Sequence, residues 1–222
     1  MDVRDGEATI PAGEVNLPAD LLVPATPVGV VLFAHGSGSS RHSPRNVAVA
    51  RRLADSGLGT VLVDLLTAAE DEVDAVTAEL RFDIGLLADR LAGVVDWLGT
   101  ERPLGEAPVG LFGASTGAAA ALVAAAQRAD LVRAVVSRGG RPDLAGVALG
   151  QVRAATLLLV GGLDEQVIAL NEQALSRLTA PAELRVIPGA THLFSEPGTL
   201  EHVADAATGW FHDHLHPHPT TV

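Results

Sequence analysis

The stretch from Val109 to Ala126, VGLFGASTGAAAALVAAA, limits what this chain can fold into more than any other. An apolar, β-branched run enters a Gly-Ala-Ser-Thr-Gly turn and leaves it as an alanine-rich helix, so Ser115 stands at a strand-to-helix corner. At such a corner the serine backbone is strained, small neighbours at Gly113 and Gly117 let strand and helix approach, and helix amides lie behind the hydroxyl. The pentapeptide alone is a weak signal: with 23 glycines in 222 residues, roughly 0.1 Gly-x-Ser-x-Gly matches arise by chance. A glycine-rich turn that merely packs a helix on a strand would look the same, so the rest of the chain has to decide.

That rest reads as strands alternating with helices. Ala8 to Ile10 and Asn16 to Val23 look like an antiparallel edge hairpin punctuated by Pro11, Gly13 and Pro18. Val28 to Ala34 is a continuous apolar run, the mark of a buried central strand, and it meets the loop His35-Gly36-Ser37-Gly38-Ser39-Ser40. Ser43-Pro44 opens a helix over Asn46 to Ser56. Gly59 to Leu65 is the next strand, Leu66 to Ala78 an acidic surface loop, and Leu80 to Leu98 one amphipathic helix. After the elbow come a strand at Leu131 to Ser137, a short helical piece near Leu144 to Leu149, and a strand at Thr156 to Val160. A helix at Val167 to Leu178, a strand at Ala182 to Ile187 and a closing helix at Leu200 to His214 complete the chain.

This alternation predicts one α/β domain over residues 1–222, with a doubly wound, mostly parallel sheet, an antiparallel N-terminal edge hairpin and a flexible tail at 215–222. Ser137 to Ala155 is too short to build a separate lid. The length and the 48% hydrophobic content suit a single large core. With a net charge of −12, affinity for nucleic acid or an anionic membrane surface is not expected, since a phosphate backbone needs clustered cations. All 15 basic residues are arginine, and there is no cysteine, so disulfides, thiolate ligands and a cysteine nucleophile are excluded. No signal segment or apolar run of membrane-spanning length is apparent, and a cytoplasmic location is expected. No dinucleotide fingerprint follows the first strand, so no cofactor is implied. The alternating His212, His214, His216 and His218, with Pro217 and Pro219 beside them, read as a frayed tail rather than a metal site. The sequence leaves the oligomeric state open, a homodimer included.

Four loops that follow strands carry chemistry: the His35 loop, the Ser115 elbow, Gly161 to Glu165, and Pro188 to His192. In a parallel sheet they converge at one edge. A serine hydroxyl needs a base within hydrogen-bond reach, and the base needs a carboxylate to hold its tautomer. Ser115, Asp164 and His192 stand in the chain order such an elbow uses. Asp164 could alternatively cap the following helix, and His192 could be a loop histidine satisfied by backbone. An oxyanion hole would draw one amide from Thr116 and another from Ser37 or Gly38. His35 reads as a brace for its loop.

Together, HGSGSS at 35–40, GASTG at 113–117, GGLDE at 161–165 and GATHLF at 189–194 resemble the α/β-hydrolase superfamily, and most of all its small, lidless dienelactone-hydrolase-like branch. The resemblance implies a carboxylic ester hydrolase in which Ser115 is the nucleophile, His192 the base and Asp164 the orienting acid, acting on a small ester or lactone. It departs from dienelactone hydrolase proper in carrying serine where that enzyme has cysteine. A thioesterase, amidase or acyltransferase on the same site, and a non-catalytic binding homologue, are the alternatives. Arg41 and Arg45 follow the first long strand and Arg138 and Arg141 follow another. These positions suggest recognition of an anionic substrate group, first through Arg138, unless the arginines only pair with Asp55, Asp143 or the Glu70 to Asp74 stretch.

Overall fold

The computed structural model describes residues 3–101 and 104–215. Its eight strands are β1 (Val3–Ala12), β2 (Val15–Pro24), β3 (Val30–Ala34), β4 (Gly59–Val63), β5 (Val109–Ala114), β6 (Val132–Arg138), β7 (Ala155–Gly161) and β8 (Ala182–Ile187). They form one sheet in the order β1-β2-β4-β3-β5-β6-β7-β8, with β1, β2 and β4 antiparallel in succession and the rest parallel. The expected edge hairpin is therefore present, but longer than its apolar centre suggested. Its ladder runs from Val3 opposite Pro24 to Ala12 opposite Val15, and Gly13 supplies the positive φ of 67° that the turn needs.

Among the described residues six α-helices cover the two faces: α1 (Pro44–Asp55), α2 (Ala68–Thr77), α3 (Ile84–Thr100), α4 (Thr116–Gln127), α5 (Glu165–Leu175) and α6 (Thr199–His214). Side chains alternate across a strand, so each central strand feeds two cores. Val30, Leu32 and Ala34 with Leu111 pack under α3 and α4, while Val31, Phe33 and Phe112 pack under α1 and α6. The central strands are buried on both faces along their length, which explains why they read as unbroken apolar runs.

Three expectations need correction. The Leu66 to Ala78 stretch is not a surface loop, because α2 occupies Ala68–Thr77. Its start is a capping box in which the Thr67 side chain accepts from Glu70 N–H and Glu70 accepts from Thr67 N–H. The helix expected over Leu80 to Leu98 is split: a 3₁₀ turn spans Leu80–Phe82, and Asp83 then caps α3 through Leu86 N–H. Leu215 does not belong to a tail, being fully buried against the α6 side of the sheet. The piece near Leu144 is a 3₁₀ segment, Pro142–Gln151, broken at Gly146. No separate lid stands over the strand ends among the described residues, and none of their helices is long and apolar enough to cross a membrane.

Candidate active site

Ser115 sits between β5 and α4 with φ 50° and ψ −120°, a region of backbone space that a non-glycine residue occupies only under constraint. Two glycines explain how the chain holds it there. A Cβ on Gly113 would come 2.4 Å from Ala118 Cα, and one on Gly117 would come 2.4 Å from the His35 carbonyl oxygen. The elbow is thus a close contact of α4 with both its own strand and the neighbouring loop. Ser115 N–H donates to the Arg138 carbonyl at 3.2 Å, which ties the corner to the end of β6. The Ser115 hydroxyl makes no hydrogen bond to another described residue.

Asp164 follows β7 at the start of α5, yet its carboxylate does not cap that helix. Its Oδ2 lies 2.6 Å from His192 Nδ1, so the imidazole Nδ1–H donates to the carboxylate and Nε2 is left as the acceptor. Asp143 is committed elsewhere, gripped by Nε and Nη2 of Arg141 at 2.8 Å each. The His192 ring lies against Gly139, where a Cβ would stand 3.6 Å from His192 Cε1. Gly139 directly follows the residue that binds the Ser115 amide, so Ser115, His192 and Asp164 meet at one corner of the sheet.

The expected oxyanion donors divide. Thr116 N–H belongs to the first turn of α4, where no intrahelical partner is available. Ser37 N–H is occupied, donating to Thr116 Oγ1 at 2.9 Å. That bond pins the His35 loop to the helix start and leaves Gly38 N–H as the uncommitted amide of the pair. Gly36 lies so near that a Cβ there would stand 3.1 Å from Ser115 Cβ. A cavity of about 730 Å³ opens beside this loop, bounded by Gly36, Ser37, Gly38, Leu66, Asp71 and Arg81.

His35 braces its loop as expected. Its Nδ1–H donates to Gly36 O at 3.0 Å and its Nε2 accepts from Leu65 N–H at 3.2 Å. Burial holds its pKa below the usual histidine range, against the opposing pulls of the Gly36 carbonyl and Asp64. The unfolded chain then binds a proton near pH 6.5 that the folded chain refuses, so folding stability falls as the pH drops through and below that value. His35→Gln removes this contribution. Unfolding free energies measured in urea from pH 7.5 to 5 should decline more steeply for wild type than for the variant, and parallel profiles would refute the assignment.

The arginines part company. Arg41 lines the cavity but is tied to carboxylates: its backbone N–H donates to Asp64 Oδ1 at 2.7 Å, its Nη1 to Asp64 Oδ2, and its Nε to Asp20 Oδ1 at 3.2 Å. Its guanidinium is therefore neutralised within the fold, and by carboxylates other than those expected. Arg141 is likewise paired, with Asp143. Arg138 is buried and donates from Nη2 to Asn46 Oδ1 at 3.2 Å, while its Nε and Nη1 and the Nε of Arg45 have no hydrogen-bond partner among the described residues.

Arg81, on the cavity wall, was missed in the sequence. Its Nε and Nη2 hold the Asp74 carboxylate and carbonyl, and a Cβ at Gly38 would lie 3.8 Å from its Nη1. The capping box Thr67-x-x-Glu70 was the legible sign that an ordered element leads up to it. Of the terminal histidines, His212 Nε2 lies 3.1 Å from Ser56 Oγ and His214 packs on Trp210 with ring centroids 4.3 Å apart. His216 and His218 lie outside the described residues. Among the described residues no cluster of three potential metal ligands occurs.

The family model described as the alpha/beta hydrolase fold matches residues 29–180. The chain belongs to the α/β-hydrolase family. A dienelactone hydrolase crystal structure from Anabaena variabilis superposes with a TM-score of 0.95 at 54% identity, covering 97% of this chain and 100% of that one. A dienelactone hydrolase-like promiscuous phosphotriesterase from metagenomic libraries shares the fold at a TM-score of 0.77 and 17% identity, over 97% of this chain and 100% of that one. Within its family this α/β hydrolase is therefore dienelactone-hydrolase-like. A Mycobacterium tuberculosis protein named "Putative phosphoribosyl transferase" is 56% identical over 213 residues, which are 96% of this chain and 47% of that protein. The chain spans about half the length of the curated relatives it matches.

Proposed function

We propose that this α/β hydrolase cleaves a small carboxylic ester or lactone through an acyl-enzyme formed on Ser115. The observation that carries the reading is the 2.6 Å contact of Asp164 with His192 beside a serine held at φ 50°. His192 Nε2 takes the Ser115 proton as the hydroxyl oxygen attacks the ester carbonyl, and the Asp164 carboxylate stabilises the imidazolium that forms. Thr116 N–H and a loop amide receive the negative oxygen, and His192 returns the proton to the departing alcohol. Water then repeats the sequence on the acyl-enzyme and restores the serine.

A fluorophosphonate probe tests the reading directly, because it reacts only with an activated serine. Covalent labelling that maps to Ser115 is the expected result, and folded protein that stays unlabelled would favour a binding role. Phosphoribosyl transfer, which the name of the longer mycobacterial relatives mentions, is not assigned to this chain. The elements from Val3 to His214 build one α/β-hydrolase fold, and those relatives contain about as much sequence again.

A further inference from the structure

Arg138 and Arg45 form a second feature beside the elbow that ester hydrolysis by itself does not use. Ala134 and Val136 of β6 face the α1 and α6 core, and Arg138, two residues on, leaves the strand on that same side. It is 7% exposed, and among the described residues its guanidinium hydrogen-bonds to Asn46, in the first turn of α1. Arg45 stands one residue before Asn46, half-exposed. The two guanidinium groups are close enough that Arg45 adds to the burial that pushes Arg138 down to about 10. α1 contributes its own positive end, and no acidic residue lies in its first turn.

A buried cation is normally paired, since removing it from water is costly. Among the described residues no carboxylate pairs with either arginine, whereas Arg41, Arg81, Arg90, Arg128 and Arg141 all hold one. Resting on the hydrolase reading above, we infer that Arg138, Arg45 and the N-terminus of α1 form a subsite for a dianionic oxyanion on the substrate, a phosphate monoester group. Two unneutralised guanidiniums match the charge of about −1.5 to −2 and the three acceptor oxygens of a phosphate, where a carboxylate would offset one of them. The location fits a substrate group, because the Arg138 carbonyl binds the Ser115 amide. Arg45 is half-exposed and Arg138 buried, so a phosphate would meet Arg45 first.

Inorganic phosphate is the probe. At pH 7.5 its binding is measured by calorimetry on the full chain as wild type, Ser115→Ala, Arg138→Met and Arg45→Met, with Arg153→Ala, a far exposed residue, as control. Phosphate should bind wild type, Ser115→Ala and the control alike, weaken at least tenfold in each of the other two variants, and inhibit p-nitrophenyl acetate hydrolysis competitively. Acetate should bind at least tenfold more weakly. Unchanged phosphate binding in both Arg138→Met and Arg45→Met overturns the subsite, noncompetitive inhibition overturns its place on the substrate, and acetate binding as tight as phosphate overturns the dianion. Arg45→Met keeps the test decisive should Arg138→Met fail to fold. Binding to Ser115→Ala needs no turnover, so loss of the subsite is distinguishable from absence of fluorophosphonate labelling, which would sink the hydrolase reading instead.

Discussion

Ser115→Ala is expected to fold as wild type and to lose ester turnover by about 10⁴-fold or more, because the members of such a catalytic unit fail together and leave only binding and oxyanion stabilisation. The substitution keeps the Cβ and removes an oxygen that makes no hydrogen bond to another described residue, so nothing in the packing is disturbed. The backbone strain at φ 50° remains, since alanine tolerates that conformation no better. Ser115→Gly separates the two contributions. It should be equally inactive yet recover part of the elbow strain, which is of order 1 to 3 kcal/mol. Initial rates on a p-nitrophenyl ester together with thermal unfolding check both statements. Retention of more than about a tenth of the wild-type rate in Ser115→Ala would remove Ser115 from the nucleophile role.

What was legible in the sequence follows from which interactions are local. Strands buried on both faces announce themselves as apolar runs, so the parallel core and the order of its loops could be read residue by residue. The elbow was legible because Gly113 and Gly117 are demanded by contacts of 2.4 Å, which admit no side chain. The α2 helix was not, because it buries little: Asp74 is its sole buried residue and Val73 and Val76 face outward, so it lacks an apolar stripe and is held by its cap and by Asp74 on Leu80 N–H and Arg81 N–H. The arginines show a different limit. Position after a strand told which of them lie near the corner, but whether a guanidinium is free depends on carboxylates distant in sequence. Asp64 lies 23 residues from Arg41, and no local pattern reveals that pairing. In the same way the Ser37 amide, 79 residues from Thr116, gave no sign that a hydroxyl would occupy it.

Asp164→Asn should cost about 10³- to 10⁴-fold in kcat while changing stability little. The carboxylate accepts the His192 Nδ1–H at 2.6 Å, a tautomer that leaves Nε2 as the acceptor that the proposed mechanism needs. An amide in its place can present its NH₂ group to Nδ1, and the ring then carries its proton on Nε2, where it blocks proton removal from Ser115. Even with the amide oxygen turned inward, the imidazolium formed during attack would lack the negative charge that stabilises it. Because Asp164 makes no cap bond to α5, the helix start loses nothing by the change, so thermal unfolding should stay close to that of wild type. The pH profile carries the distinguishing signature. Activity of the variant should recover in part as the pH is raised, as hydroxide substitutes for the missing base, whereas a merely misfolded protein would show a uniform loss. Full activity in Asp164→Asn would move the acid elsewhere, and Glu165→Gln would then be the variant to fail, because Asp143 is already held by Arg141.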